Sequence, residues 1–207
     1  IGRIFTSRIL SQPNKLNIEV VTNSNKKVIV FSPNPYSLYT LSVLHLLAEH
    51  GIKVEAVIVR KIFNLKRISL EVRRDGKRLI KKVVRKLVFK DSQRTSENSR
   101  NLSDVKNELN IKNKNVIDWC KSFDVPLIKC NTINDNEIEA ILSDIKPDYG
   151  VFTGGGIVSE KILNTFNICI LNCHAGILPH YRGMDVIEWP VLNGDMVNIG
   201  STVHFMS

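Results

Sequence analysis

Short, β-branched apolar runs alternate with segments of helical periodicity along this chain, and that alternation limits the fold more than any other feature. "KVIVF" at 27–31 reads as a buried strand closed by Ser-Pro-Asn-Pro. Leu38, Leu41, Leu44, Leu47 and Ala48 then recur at helical spacing over 37–50, with Gly51 as the stop. "KVEAVIV" at 53–59 makes a second strand, so 27–59 is a βαβ unit whose strands lie parallel. The rhythm returns with a helix at 114–123, a strand at 126–130, a helix at 134–145 and a strand at 148–153. A short helix at 159–164, "ICILNC" at 168–173, a short helix at 184–193 and a strand at 200–206 complete it. This order predicts an α/β fold with a doubly wound, mostly parallel, Rossmann-like sheet.

Residues 60–113 interrupt the rhythm and are long for a connection in a compact domain. Leu79, Ile80, Val83, Val84, Leu87 and Val88 form an apolar stripe on a helix whose other faces are Lys and Arg. Residues 91–113, rich in Ser, Asn, Asp and Lys, read as a flexible linker. Residues 60–90 hold thirteen Lys or Arg against Glu71 and Asp75, whereas the whole chain is only +9. The basic character therefore belongs to the insert. Such a helix can pack on its own domain with a solvated face, bind an anionic substrate or nucleic acid, or rest on an anionic membrane surface. Phe89 is its one nearby aromatic residue, which argues against base stacking. The reading divides the chain into an N-terminal extension, 1–26, and a domain at 27–207 interrupted by the basic helical insert at 60–113.

Apolar runs fall far short of the ~18 residues a membrane span needs, and residues 1–26 lack the apolar core of a secretory signal. The four cysteines, Cys120, Cys130, Cys169 and Cys173, form no C-x-x-C pair, so free thiols in a reducing cytoplasm are expected. Cys169 and Cys173 read as small fillers of a buried strand, and no metal is expected at Cys169, Cys173 and His174. Ile at position 1 and an abrupt end after the last strand read as part of a longer protein.

The chemistry concentrates at 171–183, "LNCHAGILPHYRG". Strand alternation puts Asn172 and His174 on one face, after Ile170, and Cys173 on the other. An amide N–H can donate to an oxyanion forming on a carbonyl, and an imidazole can accept or return a proton near neutrality. Gly176 and Pro179 make a tight connection that leaves room for substrate, and Arg182 offers a fixed positive fork. The first βα turn reads "SPNPYS" where a dinucleotide site carries G-x-G-x-x-G, which argues against such a cofactor. Gly154-Gly155-Gly156, after the strand at 148–153, is either a tight turn or part of a ligand loop.

These motifs carry a resemblance. "LNCHAGILPHYRG", then "NGD" at 193–195 and "GSTVHF" at 200–205, resembles the catalytic domain of the folate-dependent formyltransferases. That family includes methionyl-tRNA, glycinamide ribonucleotide and amino-sugar N-formyltransferases. "VFTGGGIVSEKIL" is similar to the loop and helix that precede the family signature. The resemblance implies 10-formyltetrahydrofolate as formyl donor, with Asn172 holding the oxyanion and His174 handling the amine proton. It implies a folate pocket at Gly155, Gly156, Ile157 and Val158, with Ile170 nearby, and substrate contacts at Gly176 and Arg182. The family's catalytic Asp aligns roughly four residues beyond Ser207; Asp185 and Asp195 stand elsewhere. The reading that follows is an N-formyltransferase acting on an amino sugar or other small amine, with tRNA as a further acceptor. Two alternatives stay open: a hydrolase releasing formate, and a non-catalytic folate- or nucleic-acid-binding module of the same fold.

Overall fold

The computed structural model describes residues 5–7, 26–61, 102–154, 156–183 and 186–206. The basic stripe at 79–88, Gly155 and Asp185 lie outside the described residues.

Seven strands form one sheet: β1 (Phe5–Ser7), β2 (Val28–Ser32), β3 (Val54–Arg60), β4 (Leu127–Cys130), β5 (Tyr149–Phe152), β6 (Cys169–His174) and β7 (Ser201–Phe205). Their order is β1-β7-β6-β5-β2-β3-β4. The five strands from β6 to β4 run parallel; β7 is antiparallel to β6, and β1 to β7. The strand pair Phe5↔Val203 draws part of the expected N-terminal extension into the sheet. The chain first builds outward from β2 to β3 and β4, then returns to lay β5 on the other side of β2. The carboxyl ends of β2 and β5 therefore flank the crevice where ligands of such sheets bind.

Period-two alternation within the strands feeds two cores, one on each face. On the first, Phe31 packs 6.3 Å from Phe152 and 6.0 Å from Phe166, ring centre to ring centre, beside Ile58, Ile162 and Ile170. Helices α4 (Asn136–Ile145) and α5 (Glu160–Leu163) cover this face through Ile138, Leu142 and Ile162, all at most 2% exposed. On the second, Val30, Val57 and Val59 meet α1 (Leu38–Glu49) at Leu41 and Leu44, and α3 (Val116–Ser122) at Val116 and Trp119. Each fully buried Leu, Ile or Phe contributes about 1.5–3 kcal/mol relative to exposure. The Ser37 hydroxyl caps α1 by accepting from the Thr40 amide, 3.2 Å away, and the Asn115 side chain caps α3 from the Asp118 amide, 2.9 Å away.

Two expectations need correction. The stretch read as linker contains α2 (Leu102–Glu108), which packs beside α1. The reason is the turn that follows: Ile111, 6% exposed, inserts into the second core, and its amide bonds the Lys106 carbonyl at 3.1 Å. Cys173, read as a filler of a buried strand, is exposed. Its face of β6 is reached from α1 by Tyr39, whose phenol burial pushes up to about 12, with the Cys173 thiol hydrogen-bonded beside it.

Thiol reactivity should follow this burial. Burial pushes the Cys120 and Cys130 thiols up to about 11, and raises Cys169 as well. Timed iodoacetamide labelling with peptide mapping is expected to modify Cys173 first, then Cys169, and Cys120 and Cys130 only after unfolding. Equal rates at Cys130 and Cys173 would contradict the packing of β4.

Candidate active site

Asn172 and His174 occupy the last turns of the pleat at the carboxyl end of β6, both half-buried. Ile170 shares their face two residues earlier but is 1% exposed. A Cβ added to Gly150 would stand 2.9 Å from Ile170 Cγ1, so β5 must carry glycine there. Ile170 is thus the apolar floor under Asn172, with no surface to offer a folate.

The antiparallel register places His204 directly opposite Asn172 and Thr202 opposite His174. His204 Nδ1 lies 3.0 Å from the Phe205 carbonyl. A carbonyl only accepts, so Nδ1 carries the proton and Nε2 keeps its lone pair. That Nε2 sits 3.2 Å from Asn172 Nδ2 and accepts from it. The Asn172 amide is thereby fixed in one orientation, and its second N–H stays available to a carbonyl oxygen.

The same logic assigns His174. Its Nε2 lies 3.2 Å from the Tyr181 carbonyl, so Nε2 bears the proton and Nδ1 keeps the lone pair. The loop supplying that carbonyl is held at several points. The Tyr181 hydroxyl donates to Asp195 Oδ2 at 2.9 Å, and Asn198 Nδ2 donates to both carboxylate oxygens at 3.0 and 2.9 Å. Those bonds, Asn198 foremost, hold the Asp195 carboxyl below its ordinary range. Thr202, wholly buried, donates to the Gly176 carbonyl at 2.7 Å and accepts from the Leu178 amide at 3.1 Å. The Leu178–Pro179 peptide between these anchors is cis. Gly176 is buried too: a Cβ there would meet the Tyr181 oxygen and Val186 Cβ at 3.0 Å and His174 Nε2 at 3.2 Å. Its role in the structure is to let the loop close against the imidazole. Arg182, next along, is exposed.

Replacing Thr202 by valine keeps the shape and removes both bonds. The expected cost is about 1–3 kcal/mol, read as a melting temperature lower by roughly 2–12 °C. A melt unchanged within error would show that the loop is held by other means.

The loop after β5 forms the neighbouring wall. Gly156 has φ +114, a conformation that favours glycine, and Ile157 is 87% exposed beside it. Val158 turns inward at 7% exposed and joins the first core. Asn134, from the segment before α4, braces this loop: its Nδ2 donates to the Ile157 carbonyl and its Oδ1 accepts from the Ser159 amide, both at 2.9 Å. At the base of the crevice, the Thr153 hydroxyl donates to the Phe31 carbonyl at 2.6 Å and lies 2.7 Å from the Thr40 hydroxyl. Of the residues expected at a folate pocket, Gly156 and Ile157 are thus exposed and Val158 and Ile170 buried.

His204, Thr202, Tyr181, Asp195 and Asn134 all support the site, and no sequence spacing marks them as doing so. "GSTVHF" was visible as a motif, but only the β6–β7 register shows which of its residues face Asn172 and His174. Among the described residues no group of three or more His, Cys, Asp or Glu is placed to hold a metal ion. No helix among them is long and apolar enough to cross a membrane.

Comparison with known proteins agrees with the fold. The sequence profile described as "Formyl transferase" matches residues 53–207, about three-quarters of the chain. A methionyl-tRNA formyltransferase of Finegoldia magna is 40% identical over 72 residues, covering 34% of this chain and 23% of that protein. The chain thus spans about a quarter of the length of the curated relatives it matches. Among solved structures, a phosphoribosylglycinamide formyltransferase from Bacillus halodurans superposes with TM-score 0.51 and 16% identity, over 88% of this chain and 72% of that one. A formyltetrahydrofolate deformylase from Pseudomonas syringae gives TM-score 0.51 and 14% identity, over 88% and 46%. At such identities these structures show a shared fold.

Proposed function

The chain belongs to the formyl transferase family, and on that premise we propose that it moves a formyl group from 10-formyltetrahydrofolate to an amine. The observation that carries this reading is the pairing of Asn172 with His204 across β6 and β7 and of His174 with the Tyr181 carbonyl. The donor supplies an acyl carbon already activated as an N10 amide. The residues present suit it: Asn172 retains an unspent N–H for the formyl oxygen, and Gly156 and Ile157 expose backbone and an apolar side chain beside that position. As charge grows on the oxygen, the Asn172 N–H stabilises it, and His204 keeps the amide from turning its oxygen inward. His174 Nδ1 takes the proton of the attacking amine and returns it to N10 as the oxyanion collapses and the bond from the formyl carbon to N10 breaks, which releases tetrahydrofolate; the Nε2–H keeps its bond to Tyr181 throughout. Sub-ångström placement matters to such a step, which accounts for the anchoring of the Tyr181 loop by Thr202 and Asp195.

For the acceptor, we favour an aminoacyl-tRNA over the small amine weighed from sequence alone. Support comes from the curated relatives, described as methionyl-tRNA formyltransferases, and from the thirteen cationic residues at 60–90. Binding through those cations would fall steeply with salt.

The test follows tetrahydrofolate release from 10-formyltetrahydrofolate by absorbance, using the full-length protein with methionyl-tRNA, glycinamide ribonucleotide or a nucleotide-linked amino sugar. Release should depend on the amine and be fastest with methionyl-tRNA. Release without any amine would identify a hydrolase. A folded protein with no release under any condition would leave a binding module of this fold.

A further inference from the structure

The loop after β5 runs across the carboxyl ends of three other strands. At Gly154 it meets the end of β2, where an added Cβ would stand 3.5 Å from the Pro33 ring. At Gly156 it meets the end of β3, where an added Cβ would stand 3.5 Å from Arg60 Nη1. The Ile157 carbonyl and the Ser159 amide then bond Asn134, just beyond β4, both at 2.9 Å. The space that a side chain at 156 would fill therefore opens toward a guanidinium, and Gly156 itself is exposed.

Arg60 is the last residue of β3 and is half-buried. Strand alternation puts it on the face of Ala56 and Ile58, which belong to the first core. At the rim of that core an arginine can lay its stem on apolar atoms and carry its charged head outward. The charge is felt at Cys130, its partner across β3 and β4, together with those of Lys61 and Asp135. Two cations thus face one acid, and Asp135 Oδ2 accepts from the Asn131 and Thr132 amides at 3.1 and 3.0 Å. This end of the crevice is net positive.

The strand order β6-β5-β2-β3 sets the distance from the chemistry: three strand spacings, about 14 Å, separate the end of β3 from Asn172 and His174 on β6. The way between them passes Gly154 and Gly156, which offer no side chain to obstruct a flat molecule. A long ligand that reacts at one point and carries negative charge at its far end fits this layout. In 10-formyltetrahydrofolate a benzoyl ring and an amide separate N10 from the two glutamyl carboxylates, a reach of the same order. Resting on the reading that this is the formyl donor, we propose that Arg60 pairs with a carboxylate of its glutamyl end and so selects folates over pteridines that lack glutamate. A guanidinium fork matches a carboxylate through two parallel N–H bonds, which an exposed lysine does not reproduce.

Calorimetric titration of the full-length protein with tetrahydrofolate and with tetrahydropteroyl amide, in which a primary amide replaces the glutamate, isolates this contact. The unaltered protein should bind tetrahydrofolate about tenfold more tightly. Arg60→Gln should weaken tetrahydrofolate about tenfold, leave the amide unchanged and so erase the preference. Arg60→Lys, which keeps the charge without the fork, should retain part of it. Equal binding of the two compounds by the unaltered protein would overturn the proposal, as would a preference that survives in a natively melting Arg60→Gln. Equal weakening of both compounds in that variant would make Arg60 a support of the loop and overturn it too. Each of these outcomes leaves the donor assignment standing, whereas binding of neither compound would overturn both readings.

Discussion

His174→Ala is expected to lower amine-dependent tetrahydrofolate release by roughly 10²–10⁴-fold, the range a positioned acid–base group contributes. The melt should change little. The imidazole is half-buried, its bond to the Tyr181 carbonyl contributes about 1 kcal/mol, and Ile170 below it remains in place. Tautomer matters as well as proximity. With Nε2 committed to Tyr181, the proton path runs through Nδ1, so a glutamine that mimics only the Nε2–H should restore the loop contact without restoring rate. Near wild-type turnover in both variants, in protein shown to be folded, would remove His174 from the chemistry.

Asn172→Ala carries the second large effect, about 10²–10³-fold in kcat with little change in KM, because an oxyanion donor acts mainly in the transition state. Its cross-strand partner separates orientation from donation. His204→Ala leaves the amide in place but free to turn, so it should cost less, about tenfold. If His204→Ala were as damaging as Asn172→Ala, the imidazole of His204 would have to touch substrate itself, and the account of a held amide would fail.

Each strand from β2 to β7 falls within about a residue of the apolar run that announced it, because β-branched runs bounded by turn residues are local signals. The failures are non-local. "FTS" at 5–7 is too short and too polar to announce itself, and it becomes a strand only because β7 offers an edge. "LSDVKNE" at 102–108 has the composition of a linker and buries none of its own residues; Ile111 beyond it and α1 beside it make it a helix. Cys173 continues an apolar run in sequence, whereas at the end of β6 one face is half-buried and the other, with Cys173, is exposed. The site divides in the same way. Asn172 and His174 share a face by simple alternation, which a sequence displays. His204 and Thr202 meet them across a strand pair, and Tyr181 through a loop around a cis peptide, which no spacing rule encodes.

The antiparallel edge has a consequence for the chain during synthesis. β6 and its two polar side chains leave the ribosome well before His204, and β1 waits from the outset for Val203. The contacts between β1 and β7 are of very long sequence separation, the slowest kind to form. Until β7 arrives, the nascent domain holds a parallel sheet with the outer edge of β6 unpaired, the arrangement most prone to recruit a foreign strand. The last strand therefore both orients the amide and seals the edge, so a nascent chain gains catalytic geometry and protection from aggregation in the same event.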